Sequence, residues 1–148
     1  MPKESKQILR VIDVNFNRCK EGLRVVEDIF RFVVENNSLR KKTRKLRHSL
    51  DFIAQKKVLK GAILCRDSRK DLGKAADNME SKRESPNNIL YINFQRVKES
   101  LRVLEEFFKL LTHREAARIK KIRYEIYILE KQTLKLRPPV HNPRRKNR

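Results

Sequence analysis

Apolar side chains recur at spacings of three and four from Phe16 through Cys19, Leu23, Val26 and Phe30 to Val33. The same rhythm returns from Phe94 through Val97, Leu101, Leu104 and Phe108 to Leu111. Each set falls on one face of an α-helix. The two stretches are also copies: residues 14–33 align with residues 92–111 at an offset of 78, with ten identical positions in twenty. The chain is thus internally duplicated, and the copy reaches further. Arg44-Lys45-Leu46-Arg47 matches Lys120-Lys121-Ile122-Arg123 at an offset of 76, so each half predicts a helical hairpin.

Local signals set the expected boundaries. The first helix runs from about Lys6, with Ser5 as a cap, to Glu35, where Asn36-Asn37-Ser38 stops it. Ser38 is placed to cap a second helix from Leu39 to Lys57. Ser85-Pro86 puts a cap residue before a proline at the first helical position, opening a third helix that reaches Leu111. Thr112 to Glu115 reads as a capping box, starting a fourth helix that heads for Pro138-Pro139. The expectation is an all-α fold, with the duplicated hairpin making a four-helix bundle in one domain over residues 1–137. Hairpin one covers about 6–57, an unrepeated linker 58–87, and hairpin two about 87–137. The proline-broken basic stretch 138–148 is expected to be a disordered tail.

Beside each core stripe runs a second one: Asn15, Arg18, Gly22, Val25 and Ile29 in one copy, Asn93, Arg96, Ser100, Val103 and Phe107 in the other. A polar pair followed by a small residue is how a helix lines a pocket. Such groups next to a core are costly unless something satisfies them. A phosphate would do so, because Arg forks match its oxygens. The alternative is polar pairing that fixes the register of the helices. Arg47 and Arg123, on the second helix of each hairpin, are candidates for further phosphate contacts.

Glu21, Arg24 and Asp28, like Glu99, Arg102 and Glu106, are spaced for surface ion pairs. Glu21 and Glu99 stand nearest the polar stripe, which makes them candidates for a metal or a substrate. Glu27 and Glu105 are spaced to pair with Arg31 and Lys109. The linker carries Arg66, Asp67, Arg69, Lys70, Asp71, Glu80 and Arg83. It is either a solvated loop or one that closes over a ligand, bringing basic groups and a carboxylate for Mg²⁺ or a proton. No P-loop, kinase glycine loop or dinucleotide fingerprint is present. Nucleotide handling would fall to Arg and Lys side chains and helix N-termini.

Charge adds a rival. The formal net charge is +20, and fifteen of those charges come from residues 36–60 and 131–148. Such a surface attracts any polyanion. A nucleic-acid-binding bundle would show steep salt dependence carried by Leu39–Lys60 and the tail, but it does not explain why Asn15 and Arg18 recur beside the core. Cys19 and Cys65 are too far apart for a metal knuckle, and Cys19 reads as a small core residue. No apolar run approaches a membrane span, and the start MPKESKQ lacks a signal-peptide segment, so a cytoplasmic location is expected. The exposed Glu/Arg stripes permit a homodimer.

The order RVIDVNFNRCKEGLRVVEDIFRFV, LRHSL, RDSRKDLG, Glu80 to Arg83, then the repeat and IRYEIYILEK resembles a known small domain. It occurs fused to the N-terminus of some thiamine-phosphate synthases and also alone, and is described as a hydroxymethylpyrimidine-phosphate kinase. The resemblance covers Ile8 to Lys131, with Lys74 departing from the small residue expected after the D-x-G glycine. It implies a stand-alone kinase using ATP and Mg²⁺ to transfer the γ-phosphoryl group onto a pyrimidine monophosphate. Thiamine-phosphate synthase is an implied partner, and a non-catalytic partner role is the other alternative. On this reading Arg18, Arg96 and Asp67 are the catalytic candidates. Asn15, Asn93, Arg47, Arg123, Arg66 and Arg83 would bind substrate or phosphate, and Glu21, Glu99 and Asp71 the metal.

Overall fold

The duplicated stretches become the two central helices, α1 (Lys3–Phe32) and α5 (Pro86–Phe108). Their hairpin partners are α2 (Asn37–Ser49) and α6 (His113–Lys135). Two shorter helices, α3 (Asp51–Ala54) and α4 (Lys57–Leu64), and a 3₁₀ turn at Ser68–Lys70 complete the order. These elements come from a computed structural model that describes residues 3–75 and 81–135. The fold is all-α, with no strand among the described residues. Glu80 and the tail at 138–148 lie outside them.

The most extensive packing is between α1 and α5. Gly22 faces Asn93 and Val97, while Phe30, two turns further along α1, meets Phe94 at 6.5 Å between ring centroids. Later residues of α1 thus meet earlier ones of α5, and the helices cross in opposite directions. Phe16, Cys19, Leu23, Val26 and Phe30 are buried against Phe94, Val97, Leu101, Leu104 and Phe108. Each large apolar side chain so buried contributes about 1.5–3 kcal/mol. The last members of both stripes fail in the same way: Val33 is 57% and Leu111 45% exposed. The helices stop at Phe32 and Phe108, and the chain turns before the periodicity does.

Cys19 lies in this core, and burial pushes its thiol up to about 12 against the weaker opposing effect of Lys20. At neutral pH it is an inert packing group.

The ends of the helices show which sequence signals held. Ser85 caps α5 as expected, accepting from the Asn88 N–H. At the first turn Glu35 takes a left-handed conformation (φ 55°), and Asn36, rather than Ser38, caps α2 by accepting from the Leu39 N–H at 3.0 Å. The second helix does not run on to Lys57. The Ser49 hydroxyl donates to the Leu46 carbonyl and Lys20 Nζ to the Arg47 carbonyl, so the last turn closes on side chains. The capping box at Thr112 also differs. The Thr112 carbonyl accepts from the Ala116 N–H, but the buried Glu115 turns to Lys56 (3.1 Å) and Arg118 (3.5 Å) instead of reaching back.

The largest correction to the expected linker is α4. Leu59 and Ala62 bury it against α1, so the segment begins as part of the core. Arg66 then anchors the chain with a two-pronged hydrogen bond to the buried Asp13 carboxylate at 2.6 and 2.7 Å.

A charge pair ties α1 to the start of α3. Lys20 and, secondarily, His48 donate to Asp51 and hold its carboxyl below the usual carboxylate range. A depressed folded-state pKa stabilises above the unfolded value and is lost as pH falls through the folded one. Urea midpoints measured from neutral to strongly acidic pH are therefore expected to show Asp51→Asn less stable than the parent near neutrality. The two curves should converge below the depressed Asp51 pKa. A gap that persists unchanged in acid would contradict this linkage.

Candidate functional site

The second stripe of α1 meets its copy on α5 along one groove of roughly 560 Å³. Its walls are Asn15, Arg18, Glu21, Gly22 and Val25 from α1, and Asn93, Arg96, Glu99, Ser100 and Val103 from α5. These are five pairs of equivalent residues at an offset of 78. Ile29 and Phe107, the ends of the expected stripes, do not line it.

Helix geometry explains the opening. The helices come close together at Gly22, where an added Cβ would stand 2.8 Å from Val97 Cγ2 and 3.5 Å from the Asn93 carbonyl. Gly22→Val is expected to overpack this crossing, costing roughly 1–3 kcal/mol and narrowing the groove. Denaturant unfolding of the variant checks it, and an unchanged midpoint would show that the crossing relaxes freely.

The polar groups in the groove are held but not satisfied. The Asn15 amide donates to the Val11 carbonyl at 2.9 Å, and the Asn93 amide to the Ile89 carbonyl at 2.8 Å. Each leaves its side-chain oxygen without a partner among the described residues. Asn15 is buried, and a buried acceptor left open in this way is costly unless something else meets it. The guanidinium groups of Arg18 and Arg96 and the carboxylates of Glu21 and Glu99 likewise have no hydrogen bond or ion pair within the described residues. Two cations, two anions and two amide oxygens therefore share one cleft without neutralising one another.

The other expected site residues go elsewhere. Arg47 donates to Glu27 at 2.9 Å, and Arg123 to Glu105 at 2.9 Å, in the equivalent place of each half. Both glutamates are buried, so these bridges join the two helices of each hairpin rather than facing the groove. The expected pairs with Arg31 and Lys109 do not form. Arg24 pairs with Asp28 and Arg102 with Glu106 on the outer surface, as their spacing suggested.

Arg66, Asp67 and Asp71 line a second groove of roughly 490 Å³ against Gln7, Arg10, Val14 and Asn17 of α1. Asp67 there accepts from the Lys70 N–H and Asp71 from the Gly73 N–H, so both carboxylates also shape the turn. Arg83 precedes α5, donates to the Lys82 carbonyl and is not among the groove-lining residues. A third cleft between α2 and α6 carries Lys42, Lys45, Arg118 and Lys121 over Leu46 and Ile122. Lys45 and Lys121, equivalent at the offset of 76, both line it, as do the equivalent Lys42 and Arg118.

Among the described residues no group of three or more acidic, His or Cys side chains could hold a metal ion. Also among them, no helix is long and apolar enough to cross a membrane.

The fold and groove define an all-α protein built from a duplicated hairpin, with a cleft that gathers two arginines, two glutamates and two asparagines. The chain belongs to the ThiD2 family, whose profile matches residues 10–132. It is 38% identical over 136 residues to the thiamine-phosphate synthase of Thermosynechococcus vestitus, an alignment covering 91% of this chain and 37% of that protein. The thiamine-phosphate synthase of Synechocystis sp. is 39% identical over 124 residues, covering 83% of this chain and 35% of that protein. That of Gloeobacter violaceus is 37% identical over 128 residues, covering 86% and 36%. The chain thus spans little more than a third of the length of these relatives. No solved structure matches it.

Proposed function

We propose that this chain acts in thiamine biosynthesis as an ATP-dependent kinase that phosphorylates hydroxymethylpyrimidine monophosphate to the diphosphate. The observation that carries the reading is the groove itself: Asn15, Arg18 and Glu21 face Asn93, Arg96 and Glu99, with both arginines and both glutamates unpaired. Family membership and relatives named thiamine-phosphate synthase support the pathway.

The chemistry asks for little beyond positioning and charge. The acceptor is a phosphate that is already anionic at neutral pH, so no strong base is required. Arg18 and Arg96 would hold phosphate oxygens and offset the negative charge brought together as the substrates meet. The open oxygens of Asn15 and Asn93 are acceptors, suited to an N–H donor such as the exocyclic amino group of an aminopyrimidine rather than to phosphate. Val25 and Val103 offer the ring an apolar wall.

Mg²⁺ fits the same residues. The ion is ordinarily held by one or two carboxylates together with substrate phosphates, and Glu21 and Glu99 supply two free carboxylates on one cleft. When bound it would screen phosphate charge and orient the nucleotide's terminal phosphates.

The direct test is a phosphotransfer assay with ATP, Mg²⁺ and hydroxymethylpyrimidine phosphate, following the diphosphate by mass spectrometry. Diphosphate that forms only when all three are present is the expected result. A cooperatively folded protein that makes no product, and shows no thermal shift with either substrate, would overturn the proposal.

A further inference from the structure

The groove is symmetric, but its surroundings are not. Five residue pairs repeat across it, whereas α4 and the turn at Ser68–Lys70 have no counterpart among the described residues of the second half. That unrepeated segment packs along α1 and builds the second groove there. The two grooves adjoin. Val14 and Asn17 line the second, Arg18 and Glu21 the first, and these residues stand four apart, as neighbours on one helical surface. The α1 half of the cleft therefore continues past Arg18 into a further polar space with Arg10, Asn17 and Arg66, and the α5 half has no such extension among the described residues.

Transfer between two phosphates is itself nearly symmetric. A non-bridging oxygen of the acceptor phosphate forms a bond to the γ-phosphorus while the bond from that phosphorus to the β-phosphate oxygen breaks. The electron pair stays on the oxygen of the departing nucleoside diphosphate. Nothing is oxidised or reduced, and a dianionic acceptor has no proton to lose. The moving phosphoryl group is flanked on each side by a phosphate carrying similar charge. Two equivalent arginines, Arg18 and Arg96, each with a glutamate beside it, match two equivalent flanking phosphates.

Resting on the kinase reading above, we infer that the cleft is one composite site whose two halves divide the substrates. The α1 half, with Arg18, holds the nucleotide, whose nucleoside end extends into the second groove beside Arg10 and Asn17. The α5 half, with Arg96, holds the pyrimidine monophosphate. The alternative offered by the duplication, two identical sites each taking either substrate, leaves the one-sided extension without a use.

Steady-state kinetics on the full chain separate these arrangements. Arg18→Ala and Arg10→Ala are expected to raise KM for ATP about tenfold or more while leaving KM for the pyrimidine phosphate within about twofold. Arg96→Ala should do the reverse. Titration of the parent protein with pyrimidine phosphate alone should give one equivalent per chain. Equal rises in both KM values for each variant, the opposite pairing of residue and substrate, or two equivalents per chain would each overturn the division of labour. All three leave the kinase reading standing, because the parent still makes diphosphate. A parent protein that makes none removes both.

Discussion

Replacing Arg18 and Arg96 together with alanine is expected to lower kcat/KM for phosphotransfer by about 10³-fold or more, with the fold intact. Both guanidinium groups are exposed at the groove wall and neither has a partner within the described residues, so their removal strands no buried charge. Activity and stability should therefore separate. Circular dichroism and the thermal midpoint of the double variant should stay close to the parent while product formation collapses. Near-parental turnover from the folded double variant would mean that the phosphates bind elsewhere.

The opposite separation is expected at Arg123. Its guanidinium reaches Glu105 at 2.9 Å with both side chains largely buried, and it also donates to the Tyr127 hydroxyl. Arg123→Ala leaves the Glu105 carboxylate in the core with only Arg102, at 3.3 Å, to offset it. Breaking a buried pair from one side costs about 3–5 kcal/mol, and Arg102 keeps the loss near the lower end. The thermal midpoint should fall by roughly 10 °C. Removing both partners, as in Arg123→Met with Glu105→Leu, should restore much of that stability, because no uncompensated charge remains. Arg123→Ala that melts like the parent but loses activity would instead assign the residue to phosphate binding.

The contrast between these arginines marks how far the sequence could be read. Asn15, Arg18 and Gly22 lie at spacings of three and four, so one helical face carries them whatever the tertiary structure, and repetition in α5 singled them out as a wall. The partner of Arg47 was hidden because Glu27 sits twenty residues away on another helix. Local spacing offered Arg31 first, and only the hairpin geometry decides between them. The core stripe was legible up to Phe30 and Phe108, then misled at Val33 and Leu111, since periodicity carries no information about where a turn begins. Helix α4 escaped notice for a related reason. Its run Val58-Leu59, then Ala62-Ile63-Leu64, is too short for periodicity to tell a helix from an apolar loop. The stretch holding Asp67 and Asp71 is turn-like in sequence, and what the sequence did not show is that both carboxylates themselves close the turn, on the Lys70 and Gly73 N–H groups.

That both walls of the groove belong to one chain bears on how the protein behaves at low concentration. A cleft assembled from two separate hairpins would come apart on dilution, and its specific activity would fall with it. Here the segment between Phe32 and Pro86 tethers the second wall to the first, which makes their meeting an intramolecular event with an effective concentration independent of how much protein is present. Activity per molecule should hold steady across serial dilution, in a crowded cell or in a dilute assay alike.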